Sequence, residues 1–171
     1  PSGKKPIIPD PVDSESQVVY RGRSKGNSGG IYVPRKQADA LYAALDLVEA
    51  EHGDIDDFVR EELGYESNEA MFKALGGYQI DALALAISAN KEGNGFIIGD
   101  DTGVGKGRTA AGLMAWAVKA GKIPVFMTIK PDLYTAMYED LQDIGKGDIK
   151  IAITNSKEKI KDSKGSVVLK S

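Results

Sequence analysis

The sequence predicts an α/β fold: a partial parallel sheet with helical crossovers, preceded by a small helical layer and a flexible N-terminal arm. Three observations predict it. Short apolar runs at 96–98, 123–128 and 149–153 alternate with segments of helical period, the pattern of parallel strands joined by crossover helices. Upstream, apolar residues recur at helical spacing between glycines. Residues 1–35 contain Pro1, Pro6, Pro9, Pro11 and a Gly/Ser cluster over 24–30, which is linker composition. The expected division is an arm or linker over 1–35, a helical accessory layer over 36–77, and the N-terminal, incomplete part of a sheet domain over 78–171.

Taken in order, Val18-Val19-Tyr20 is strand-like but short, and Ile31-Tyr32-Val33-Pro34 is a short extended piece ended by its proline. Leu41, Leu45 and Val48 define a helix over about 36–51, with His52 a surface residue beside its C-terminal dipole and Gly53 as its stop. Asp54 is placed to cap the next helix, with Asp56 and Asp57 in its positive first turn and Ile55, Phe58, Val59 and Leu63 on its buried face. Ser67 is a further cap before Ala70, Met71 and Leu75, and Ile80, Leu83, Ala84 and Ile87 mark a helix over 78–91. Leu113, Trp116 and Ala117 belong to the helix after the first apolar run. Asp132 is expected to cap a helix carrying Met137 and Leu141, on whose solvated face Glu139-Asp140 would lie, and Val167-Val168-Leu169 is a fourth strand.

Composition excludes several functions. The absence of Cys removes disulfides and cysteine zinc sites, and a single His removes multi-histidine metal sites. No stretch approaches the ~20 apolar residues of a membrane span. A net charge of −3 argues against general electrostatic nucleic-acid binding. The Lys-rich stretch 146–170 is a solvated edge or a local contact to a phosphate backbone.

The chemistry concentrates after the first apolar run, in Thr102-Gly103-Val104-Gly105-Lys106. Glycines let successive backbone N–H groups turn toward an anion, a lysine at the helix start reaches the outer phosphates, and the helix N-terminus adds partial positive charge. The match to a phosphate-binding loop is imperfect. Asp100 stands at the first glycine position, one step after Gly99, and Gly107 replaces the hydroxyl residue that usually holds magnesium. Thr102 and Thr109 are nearby hydroxyls without the usual spacing. The alternative is a glycine-rich turn with no ligand.

Thr102-Gly103-Val104-Gly105-Lys106-Gly107-Arg108, with Gly99-Asp100 before it, resembles motif I of the strawberry-notch type of superfamily 2 helicases, which carries Gly-Lys-Gly-Arg where others have Gly-Lys-Thr. Glu62-Leu63-Gly64-Tyr65, Gln79-Ile80-Asp81-Ala82, Gly95-Phe96-Ile97-Ile98, Pro124-Val125-Phe126 and Asp143-Ile144-Gly145 resemble the phage and plasmid, DarB-like branch. There the helicase-like region belongs to very large proteins, some with a DNA methyltransferase, and the best-known type protects injected DNA from restriction. The resemblance covers about residues 31–171.

This resemblance implies a RecA-like P-loop domain that binds ATP with Mg²⁺ through Gln79, Thr102, Gly103, Val104, Gly105, Lys106, Gly107 and Arg108, with Lys106 as the catalytic residue. Gln79 would read adenine or be an ordinary polar helix residue. Arg108 would contact phosphate or pair structurally. Thr128 and Lys130 occupy the place of a motif that touches the nucleic-acid backbone, or form a plain strand-to-helix turn. Implied partners are DNA, the remaining motor half and a methyltransferase domain, with no membrane, in the host cytoplasm or a phage particle. No acidic pair follows an apolar strand after Lys106, so the segment is expected to bind nucleotide without appreciable turnover. The competing expectation is a structural or binding module, a virion or complex component, that keeps the fold without ATP turnover.

Overall fold

A computed structural model of the chain describes residues 16–99, 105–154, 157–162 and 164–171. They form β1 (Gln17–Val19), β2 (Tyr32–Pro34), α1 (Arg35–His52), α2 (Ile55–Leu63), α3 (Asn68–Ala74), α4 (Gly77–Lys91), α5 (Lys106–Lys119), α6 (Asp132–Asp143), β3 (Lys159–Lys161) and β4 (Val167–Lys170).

Local chemistry sets the helix boundaries. The Asp54 carboxylate accepts the backbone N–H groups of Asp56 and Asp57, and Gly64 closes α2 in the left-handed conformation at φ 71°. Ser67 accepts the Ala70 N–H at the start of α3. Asp132 does not cap α6 as expected. Pro131 holds the cap position without a side-chain bond, and Asp132 is the first helical residue. His52 closes α1, but its ring is mostly covered, stacked on Phe58 at 4.2 Å and 3.3 Å from Ser88 Oγ.

One apolar core joins the helices. Leu45, Val59, Leu63, Met71, Ile80, Leu83, Ile87, Trp116, Leu141 and Ile144 belong to it. Helix α4 packs against α1, α2 and α5. Its approach to α5 is close because position 112 is glycine: a Cβ there would lie 2.9 Å from Leu83 Cδ1. Polar ties at the rim connect the accessory helices to the second half. Lys119 Nζ donates to Glu61 O at 2.6 Å and Lys146 Nζ to Leu63 O at 2.7 Å, both carbonyls at the negative end of α2. Tyr65 donates its hydroxyl to Ile144 O at 2.7 Å, and burial pushes its phenol up to about 12. Trp116 Nε1 donates to Glu62 at 2.7 Å, and Lys91 also pairs with Glu62.

Two expectations are corrected. The runs 96–98, 123–128 and 149–153 do not pair as the expected parallel sheet among the described residues. Among the described residues the ladders are the antiparallel pairs β1–β2 and β3–β4, and the three apolar runs have no strand partner. Parallel strands are stable when both faces are covered. Here Phe126, Ile149 and Ile151 reach the helical core, whereas Ile123, Val125, Met127 and Ile129 are 76–97% exposed. That alternation is strand spacing with one face bare.

The second correction concerns residues 16–34, which are not a flexible arm. β1 pairs with β2, and the intervening loop is tied to α2 and α4 by buried aspartates. No described helix is long and apolar enough to cross a membrane.

Candidate phosphate-binding site

Gly105 and Lys106 form the junction on which the site is built. Gly105 caps α5 at φ 76°, a left-handed conformation that favours glycine, and Lys106 is the first helical residue. Glycine is required there for space as well: a Cβ would lie 2.5 Å from Gln79 Nε2 and 3.0 Å from the Tyr78 hydroxyl. Asp100, Thr102, Gly103 and Val104 lie outside the described residues.

Gln79 is 3% exposed and sits in the first turn of α4. Its Oε1 accepts the Gly76 N–H at 2.8 Å and its Nε2 donates to Gly105 O at 2.9 Å. The amide thus joins the start of α4 to the start of α5. Tyr78 beside it lines an apolar cavity of 530 Å³ with Tyr32, Leu41, Ala82, Phe96 and Ile98.

At Gly107 a side chain would need the space that the Asp140 carboxylate occupies. A Cβ would lie 2.0 Å from Asp140 Oδ2 and 2.9 Å from its Cγ. Asp140 is therefore not on a solvated face: it is half-buried against α5, while Glu139 is exposed. Burial pushes the Asp140 carboxyl up, against the opposing pull of Arg108. Arg108 turns toward α6 and α3, donating to Asp143 at 2.8 Å and to Ala74 O at 3.4 Å. Thr109 is 1% exposed, and its Oγ1 has no hydrogen-bond partner among the described residues. The Gly105 carbonyl one turn back, its natural acceptor, already takes Gln79 Nε2 and the Arg108 N–H.

These residues fit a magnesium-nucleotide to this extent: a left-handed glycine, a lysine at a helix start, an orphaned buried hydroxyl and an adjoining carboxylate. Magnesium takes much of its coordination from phosphates and water, with one or two carboxylates. Among the described residues no group of three or more acidic or His side chains forms a metal cage.

Thr128 and Lys130 sit at the turn that precedes α6. Thr128 Oγ1 accepts the Lys130 N–H at 3.1 Å, closing a turn into α6 that leaves the Lys130 side chain exposed.

The model of a protein family described as "P-loop containing NTP hydrolase pore-1" matches residues 64–170, which include this junction and the helices that carry it. The chain belongs to that family. This P-loop NTP hydrolase family member is also 29% identical over 154 residues to the protein strawberry notch of Drosophila melanogaster, across 85% of the chain and 9% of that relative. It thus spans under a tenth of the relative it matches. No solved structure matches.

Sequence reasoning had passed over Asp140, Asp56 and Asp81 as parts of this region. For Asp81 a signal was present: a carboxylate between Ile80 and Leu83 on an apolar helix needs a buried partner. For Asp140 there was none, because its neighbour comes from another helix.

Proposed function

We propose that this chain is the ATP-binding portion of a DNA helicase- or translocase-like motor, from a large phage-type DNA-protection protein of the DarB-like branch. The observation that carries the nucleotide site is the Gly105–Lys106 junction, held to α4 by Gln79 in a chain of the P-loop NTP hydrolase family. ATP would lie over Thr102, Gly103, Val104, Gly105, Lys106 and Gly107, with the Lys106 ammonium at the outer phosphates and the N-terminal dipole of α5 beneath them. Gln79 would meet the adenine side with its remaining N–H. Mg²⁺ would arrive with the nucleotide and supply electrostatic stabilisation of phosphate charge, with Asp140 and Thr109 as the protein groups at hand. Arg108 would act by holding α5 to α6 and α3. The three apolar runs would complete a RecA-like parallel sheet, and DNA, the remaining motor half and a methyltransferase domain would be partners of the whole protein. Thr128 and Lys130 would touch the DNA backbone, in the host cytoplasm or a phage particle.

The second reading, a structural or binding module, is favoured by one observation, the exposed apolar row from Ile123 to Ile129. Calorimetry with Mg-ATP on the 171-residue chain and on Lys106→Ala separates the two. Binding that disappears with Lys106 supports the nucleotide site. Heat of binding unchanged by Lys106→Ala, or none with either protein, transfers the weight to the second reading. Turnover by the chain alone is expected to be negligible, and a steady-state phosphate-release assay that found Lys106-dependent hydrolysis would contradict that.

A further inference from the structure

Asp56 and Asp81 are each 1% exposed, and neither pairs with a cation within ion-pair distance among the described residues. Buried carboxylates of this kind are costly unless hydrogen-bonded. The loop between β1 and β2 supplies the donors. Asp81 Oδ2 accepts the Tyr20 hydroxyl at 2.5 Å and the Arg23 N–H at 3.2 Å, and Oδ1 accepts the Ser24 N–H at 2.9 Å. Asp56 accepts the Ser24 hydroxyl at 2.5 Å and the Lys25 N–H at 2.9 Å. The loop then closes on the start of α4. Asn27 O accepts the Gly77 N–H at 2.9 Å, and a Cβ on Gly77 would lie 2.4 Å from Gly26 O.

The first turn of a helix has N–H groups without partners inside the helix. At the start of α4, Asn27 O takes that of Gly77, and Gln79 Oε1 takes that of the cap residue Gly76. Gln79 is itself in that turn and holds Gly105 O. A continuous series therefore runs from the Asp56 and Asp81 clamp through Gly26–Asn27, the α4 start and Gln79 to the residue preceding Lys106. Deeper positions of α4, from Ile80 to Ile87, are packed in the core. Releasing the loop would fray the α4 first turn and leave the body of the helix in place.

We propose that residues 20–28 are a positioning element of the nucleotide site, with Asp56 and Asp81 as the positioning residues, so that docking of this loop and binding of Mg-ATP favour each other. The proposal rests on the nucleotide reading above. Coupling between two sites is reciprocal, so each event must strengthen the other by the same factor.

The test uses the full 171-residue chain and two changes, one in the loop and one at the α4 start on which the loop docks, neither made at a proposed phosphate-binding residue. Tyr20→Phe combined with Ser24→Ala weakens the clamp, while Gly77→Ala wedges the loop away from α4. Mg-ATP affinity is measured by calorimetry, and hydrogen exchange of the Arg23, Ser24 and Lys25 amides is followed with and without Mg-ATP. Slower exchange of those amides in the unaltered chain with Mg-ATP, and roughly tenfold weaker Mg-ATP binding in both variants, is the expected result. Ser24→Thr, which keeps the hydroxyl and the N–H, is expected to bind as the unaltered chain does. Exchange indifferent to Mg-ATP, with variants that bind normally, overturns the proposal and leaves the nucleotide site standing. An unaltered chain that binds no Mg-ATP overturns the nucleotide reading and the coupling with it.

Discussion

Gly107 stands where a hydroxyl would ordinarily serve magnesium, and Asp140 Oδ2 fills the space its side chain would need, 2.0 Å from a Cβ. Gly107→Thr is therefore expected to destabilise the fold by about 1–3 kcal/mol, as overpacking does, instead of restoring a standard loop. Adding Asp140→Ala should recover most of that loss in a urea titration. A single variant as stable as the parent would show that Asp140 yields freely. Glu62 supports a second residue-scale prediction. Burial pushes its carboxyl up, but the hydrogen bonds from Lys91 and Trp116 together with the charges of Lys91 and Lys119 outweigh burial and leave it below the ordinary glutamate value. A depressed acid contributes stability that is present above its unfolded value, ~4.3, and is lost as pH falls through its folded value. With solvent screening the charged pair, Glu62→Gln should cost no more than about 1 kcal/mol at neutral pH, and the gap from the parent should close as pH falls from 5 toward 3. Trp116, the chain's one tryptophan, reports unfolding by its fluorescence. A gap that stays constant with pH would refute the charge-dependent part.

Among the elements, α4 bears the most on the site, since it packs against α1, α2 and α5 and presents Gln79 to Gly105. Its approach to α5 depends on Gly112, so Gly112→Val is expected to separate the helices at a cost of about 1–3 kcal/mol, read as a lower melting midpoint. An unchanged midpoint would mean that Leu83 moves aside. The helices were legible in the sequence because their signals are local: Asp54 and Ser67 bond to N–H groups two or three residues on, and Gly64 turns the chain by its own freedom. Gly105-Lys106 was legible for the same reason. The docked loop was not, because its partners Asp56 and Asp81 lie 31–61 positions away from their donors. Its glycines allow close approach: a Cβ on Gly22 would lie 1.6 Å from Asp81 Oδ2, and one on Gly26, within the cluster read as linker, 3.1 Å from Gly77 Cα. The apolar runs were seen but their pairing was not, since periodicity marks a strand-like segment without naming its neighbour.

Over the whole molecule, helical cover lies on one side of the apolar runs and the opposite side is bare. Replacing Ile123, Val125 and Met127, which are 91%, 76% and 84% exposed, with Thr, Thr and Gln should shift stability by no more than about 0.5 kcal/mol each. The same changes should reduce binding of a hydrophobic dye. A large drop in the melting midpoint would show that the row is packed after all. The docked loop has a different consequence, for the chain as it is made. Tyr20 and Asp81 are 61 residues apart. At ~5–20 residues per second, the tyrosine leaves the ribosome roughly 3–12 s before the carboxylate that will hold it. In that interval the stretch from Arg21 to Gly30 has no apolar residue with which to associate wrongly. Synthesised early and docked late, it waits on α4 for the carboxylate that fixes its backbone N–H groups.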